Sequence, residues 1–134
     1  MKRYLCLFLV VLSVLTICSC GNTSKNETGT PLDFTVVPAD DLPKELLQIL
    51  ETKKAATFSL TYTDGNFLYI AIGAGKQPTG GYSYRIHGLW LADNVIVIDT
   101  ELLGPSTDEQ THKVASYPFV VIKLEHRDEP VVFK

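Results

Sequence analysis

The sequence has little of what usually stiffens a small domain. Of its 134 residues only three are cysteine, Cys6, Cys18 and Cys20, all in the first stretch of the chain. Beyond Cys20 there is no disulfide framework and no cysteine-ligated metal site. Basic residues are few: 12 Lys and Arg stand against 15 Asp and Glu, for a formal net charge of −3. That balance argues against nucleic acid as a partner, because binding it takes clustered Lys and Arg. Long apolar runs are absent as well. The run from Tyr4 to Ile17 falls short of the roughly 20 residues that cross a bilayer as a helix.

What that N-terminus does contain is an export pattern. Met1-Lys2-Arg3 is a basic start, Tyr4 to Ile17 an apolar core, and small residues follow, which are the three parts of a secretory signal. Ile17-Cys18-Ser19-Cys20 resembles a lipobox, the motif at which lipoprotein precursors are cut, with Cys18 an unusual filler. The reading is therefore a signal peptide over residues 1–19 and lipidation at Cys20. The mature chain is then anchored in the cell envelope, on the extracytoplasmic side of a membrane; ordinary secretion and an uncleaved anchor are the alternatives. Loss of Lys2 and Arg3 with the signal takes the formal charge from −3 to −5. Loss of Cys6 and Cys18 removes thiol chemistry from the mature chain.

Residues 20–33 continue as the lipidated cysteine and a polar segment, Gly21 to Asp33, with little to pack; they read as a flexible tether. Residues 34–134 then make one small domain of about 100 residues. Asp40-Asp41-Leu42-Pro43 suits the start of a helix, and Leu46, Leu47, Ile49 and Leu50 form its apolar face. Lys53 and Lys54 suit its C-terminal end.

After the helix the period changes to two. Phe58, Leu60 and Tyr62 alternate with threonines and a serine, which predicts a half-buried strand. Asp64-Gly65-Asn66 predicts a tight turn into Phe67–Ile72, apolar on both faces and so central in a sheet. In the strand Tyr82–Trp90, alternation places Tyr82, Tyr84, Ile86 and Trp90 on one face and Ser83, Arg85 and His87 on the other. A turn at Ala92-Asp93-Asn94 leads to Val95–Ile98, Val114–Leu124 is strand again with a bend at Pro118, and Val131–Phe133 adds a short last strand. The fold class expected is mainly β (α+β): an antiparallel sandwich or partly open barrel of about six strands with one N-terminal helix.

The most informative stretch is Gly73 to Tyr82, with four glycines and a proline. A two-residue turn would have closed a hairpin, so the surplus predicts a loop of defined shape; the plainer alternative is a structural crossover. It is not a phosphate loop, since Gly75-Lys76 is followed by Gln77 and then a strand, nor a dinucleotide fingerprint, since no helix begins at its glycines. Enzymatic machinery is not legible. His87, His112 and His126 fall in separate elements, no Gly-x-Ser-x-Gly elbow appears, and Asp108 and Glu109 sit in a polar loop. The expectation is a non-enzyme with no cofactor and no metal.

The run Tyr69–Gly73 through Gln77-Pro78-Thr79-Gly80-Gly81-Tyr82-Ser83 closely resembles the core motif of the PrcB C-terminal domain family. Leu103-Gly104-Pro105-Ser106 and Ser116 to Leu124 look like later parts of the same pattern, so the resemblance spans roughly Leu42 to Phe133. The family takes its name from a lipoprotein subunit of a secreted protease complex, an accessory chain rather than the catalytic one. The resemblance implies a protein-binding role that stabilises or tethers a partner, with a secreted protease as the candidate. The loop of Lys76, Gln77, Pro78, Thr79, Gly80, Gly81 and Tyr82 is its first candidate contact surface. Pro78 to Tyr84 is also similar to the first binding loop of chagasin-type inhibitors of papain-like proteases. Their third-loop Arg-Pro-Trp has only a loose echo here, in Tyr117-Pro118-Phe119.

Overall fold

The computed structural model describes residues 29–107 and 113–134. Cys20 and residues 1–19, read from sequence as a signal peptide, lie outside these residues, as do Asp108, Glu109 and His112. The strands are β1 (Thr30–Pro31), β2 (Thr35–Val36), β3 (Thr57–Thr63), β4 (Phe67–Ala74), β5 (Ser83–Ala92), β6 (Val95–Leu103), β7 (Phe119–Glu125) and β8 (Val131–Phe133). A short 3-10 turn at Ala39–Asp41 precedes the helix α1 (Lys44–Lys53). Two four-stranded sheets result, ordered β1-β5-β6-β8 and β2-β7-β4-β3. They are not closed into a barrel, and the arrangement is sandwich-like with one helix.

Three features differ from the expectation. Among the described residues the strands number eight, because two-residue pairings, β1 on β5 and β2 on β7, are too short to leave a periodic signature. Thr30 and Pro31, in the stretch read as tether, are thus part of a sheet. The pairing is also not wholly antiparallel, since β8 runs parallel to β6.

The core between the sheets is aliphatic: Leu68, Ile70, Ile122 and Leu124 from one side meet Leu89, Ile96 and Ile98 from the other. β4 lies between β3 and β7, as its two-faced apolar sequence predicts. Its other face, Tyr69 and Ala71 with Val121 of β7, is covered by Leu42, Leu46 and Leu50. Leu46 and Leu50 are essentially inaccessible, and burying each such side chain contributes roughly 1.5–3 kcal/mol. Pro43 stands at the N-cap, one position before the first helical turn, and its carbonyl accepts the Leu47 N–H at 3.0 Å.

The turn chemistry is local. At Asp64–Asn66 only Gly65 has positive φ (94°). The Asp64 carboxylate accepts the N–H groups of Asn66 (3.0 Å) and Phe67 (2.8 Å), and the Tyr69 hydroxyl donates to it at 3.3 Å. Backbone donors, Phe67 first, hold its pKa below the usual 3.8. Burial, then the nearby Asp64 charge, pushes the Tyr69 hydroxyl up. Between β5 and β6, Asp93 (φ 51°) and Asn94 (φ 62°) both take left-handed conformations, as a two-residue type I′ turn requires.

Alternation along β5 does not hold throughout. Ile86 pairs with Thr100 and Gly88 with Asp99, so His87 is an extra residue in a β-bulge. The bulge reverses the facing of the rest of the strand. Leu89 enters the core with Ile86 and Leu91 beside it, whereas Trp90, expected on the face of Tyr84 and Ile86, lies on the opposite face. There it is buried under Gly29, whose site a side chain would fill with a 2.3 Å clash against the indole, and the Lys134 ammonium lies 5.5 Å from its ring.

Candidate functional site

Of the four connections that carry the chain between the sheets, two form the candidate site: residues 75–82 from β4 to β5 and residues 104–118 from β6 to β7. They are bonded side by side. Gln77 and Ser116 exchange main-chain hydrogen bonds, Gln77 N–H to Ser116 C=O at 2.8 Å and Ser116 N–H to Gln77 C=O at 3.1 Å. The Ser116 hydroxyl donates to the Thr79 carbonyl at 2.6 Å. At the start of the loop, the Ala74 N–H donates to Pro118 C=O (3.1 Å), and Lys76 N–H donates to Ala55 C=O (3.3 Å). The Gln77 side-chain amide closes back on Ala74 C=O at 3.1 Å. The loop therefore has the defined shape that its composition predicts, and it is also a crossover between sheets.

The glycines divide by role. Gly73 belongs to β4, and a methyl group there would strike the Phe58 ring. Gly75 is buried with φ 73°, and a Cβ would stand 2.9 Å from the Thr57 nitrogen. Gly81 has φ 84°, where the chain turns into β5. Gly80 differs from all three: unlike Gly75 and Gly81 it has no left-handed φ, and unlike Gly73 and Gly75 it leaves room for a Cβ, which would meet nothing within 4 Å.

The candidate residues also divide. Lys76, Pro78 and Gly81 are exposed, while Gln77, Thr79, Gly80 and Tyr82 are half-buried. The Thr79 hydroxyl bonds only to the neighbouring Gly80 carbonyl, at 3.2 Å. Tyr82 packs towards Gly104, where a Cβ would sit 3.7 Å from its ring, so Tyr82 supports the crossing of the two connections.

Beside this loop the structure adds residues that alternation hid. Val114–Leu124 was expected to be strand throughout, but β7 begins only at Phe119, after Pro118, which has no N–H for a ladder. Residues 113–118 instead lie along the loop and expose Val114 (69%) and Tyr117 (37%). The Lys54 ammonium lies 5.8 Å from the Tyr117 ring. The signal for Tyr117 was its place in the Ser116-Tyr117-Pro118 motif; Val114 had none.

Other titratable groups are not drawn to this loop. His87 faces Glu101 at 3.1 Å, with Arg85 3.9 Å from the same carboxylate, and His126 lies 3.5 Å from Asp128. All of these side chains are exposed. Arg127 grips Glu129 through two nitrogens, at 3.2 and 2.6 Å. That bond raises the pKa of Arg127 and lowers that of Glu129. Among the described residues no group of three or more His, Cys, Asp or Glu is placed to hold a metal ion. Among the described residues, the loop pair offers a shaped surface that exposes Lys76, Pro78, Val114 and Tyr117.

Comparison with known proteins agrees with the motif. A family model described as PrcB C-terminal matches residues 68–125, from β4 through β7, and so takes in the β4–β5 and β6–β7 connections. No curated protein and no solved structure matches the chain.

Proposed function

Residues 68–125 belong to the PrcB C-terminal family, and from that premise we propose that the chain is a protein-binding accessory module whose contact surface is the Lys76–Tyr82 loop with Val114 and Tyr117. The observation that carries this reading is how the loop is fastened. Its hydrogen bonds to Ala55, Ser116 and Pro118 run through main chain and the Ser116 hydroxyl, which leaves the side chains of Lys76 and Pro78 exposed. A surface pre-shaped in this way loses little freedom when it binds, and exposed tyrosine is a common anchor at interfaces.

The partner we propose is a secreted protease, which the module stabilises or tethers without taking part in its chemistry. Tethering calls for the second half of the proposal: cleavage after residue 19 and lipidation of Cys20, which would hold the domain at the outer side of a membrane. Affinity capture with the full chain from native membranes tests both halves. A protease should be retained, and Thr79→Ala or Gly80→Val should weaken its retention about tenfold, which is about 1.4 kcal/mol. Recovery of no protease, or variants that unfold outright, would count against the reading. Cys20→Ala should release the chain from the membrane fraction.

A second reading has one observation in its favour. Pro78–Tyr84 and Tyr117-Pro118-Phe119, the two stretches similar to chagasin-type loops, lie on connections bonded to each other through Gln77 and Ser116. Titration against a papain-like protease separates the readings: stoichiometric inhibition favours an inhibitor, and none leaves the accessory role ahead.

A further inference from the structure

Among the described residues, β3 is the longest strand at the end of either sheet, and unlike the open stretch of β5 beyond β1 it carries no bulge. It ends its sheet and runs for seven residues, whereas β1, β2 and β8 at the other edges have two, two and three. Its hydrogen-bond phase follows from two neighbours. Asp64 N–H donates to Phe67 C=O at 3.3 Å, and Ala74 N–H donates away from β3, to Pro118 C=O. Antiparallel alternation then turns the main-chain groups of Phe58, Leu60 and Tyr62 towards β4, and those of Thr57, Ser59, Thr61 and Thr63 outwards. The side chains of these four residues are exposed as well. None of the usual guards is present: Thr57–Thr63 contains no proline and no lysine, and its register with β4 runs without a bulge.

The strand is also self-complementary. Thr-Phe-Ser-Leu-Thr-Tyr-Thr has the same order of residue classes in both directions, hydroxyl at each odd position, aromatic at 58 and 62, and Leu60 at the centre. We propose that the chain self-associates through β3, antiparallel about a two-fold axis at Leu60, to join two four-stranded sheets into one. Ser59 then lies opposite Thr61 of the partner subunit, and Thr57 opposite Thr63 of the partner subunit. Both are pairs whose N–H and C=O groups point across the junction. Leu60 meets its own copy, and Phe58 meets Tyr62 of the partner subunit, on the face that α1 covers. A slip of one residue would set hydroxyls against aromatics and lose the match. Charge agrees with the antiparallel sense. β3 follows Lys53 and Lys54 and leads to Asp64, so the basic end of each strand approaches the acidic end of the other.

Sedimentation equilibrium of the full chain tests this. A concentration-dependent rise to twice the monomer mass is expected, with amide exchange at Ser59 and Thr61 slowing as concentration rises. The double variant S59K/T61K sets like charges opposite one another and should weaken association about tenfold or more. S59K/T61E sets opposite charges there and should stay close to wild type. Both changes are at exposed side chains, and circular dichroism checks that each variant is folded; should S59K/T61K fail to fold, the wild-type exchange data decide. A chain that stays monomeric up to about 100 µM, or that associates equally well as S59K/T61K, would overturn the proposal. So would equal weakening of the two double variants.

Discussion

The Ser116 hydroxyl donates to the Thr79 carbonyl at 2.6 Å, across 37 residues of sequence. Together with the main-chain exchange between Ser116 and Gln77, this bond turns two separate crossovers into one surface. It is a part-buried hydrogen bond, so its loss leaves a carbonyl short of a partner.

Ser116→Ala should accordingly cost about 1 kcal/mol of stability and loosen the loop locally. Hydrogen exchange read at the amides of Gln77 and residue 116, which donate across the crossing, checks it, with faster exchange there than in β4. Unchanged exchange at both amides would mean the hydroxyl adds nothing to the shape of the loop.

The glycines of the loop should answer substitution unequally. Gly75→Ala forces a left-handed residue against the Thr57 nitrogen and is expected to destabilise by about 2–4 kcal/mol. Gly80→Ala meets open space and should stay within about 0.5 kcal/mol of wild type. Chemical denaturation of the two variants gives the comparison; similar losses at both positions would contradict the division of roles.

The β3–β4 turn should carry a pH dependence. Asp64 has its pKa lowered in the fold by the N–H groups of Phe67 and Asn66, so its contribution is fully present above its unfolded pKa. That contribution is lost as pH falls through the lowered folded value. Thermal melts of wild type and Asp64→Asn should therefore converge as pH drops from about 5 to about 2. A gap that stays constant over that range would show that the carboxylate charge is not what holds the turn.

The hairpin of β3 and β4, the helix face of Leu46 and Leu50, and the turn at Asp93-Asn94 were all legible in the sequence. Each rests on neighbours within a few residues: apolar spacing, a glycine, an Asx side chain. The Gly-rich loop was legible too, as a surplus of glycine that no simple turn requires. Its division into Gly75 and Gly81, which need left-handed backbone, and Gly80, which does not, was not legible, because φ depends on where Thr57 and the start of β5 lie. Trp90 shows the same limit. Alternation placed it on one face with Tyr84 and Ile86, and one extra residue at His87 sent it to the other.

By itself, then, the sequence determined the helix and the existence of the longer strands, the family motif and the exclusion of thiol chemistry from everything after Cys20, since these depend on composition and short-range spacing. Tertiary structure decided which crossover lies beside which and which face each residue after the bulge presents. It also decided that β3, rather than another strand, ends its sheet with a long free edge. Those outcomes come from pairings between residues far apart in the chain, such as Gln77 with Ser116 and Thr30 with Leu91, and no local pattern encodes them.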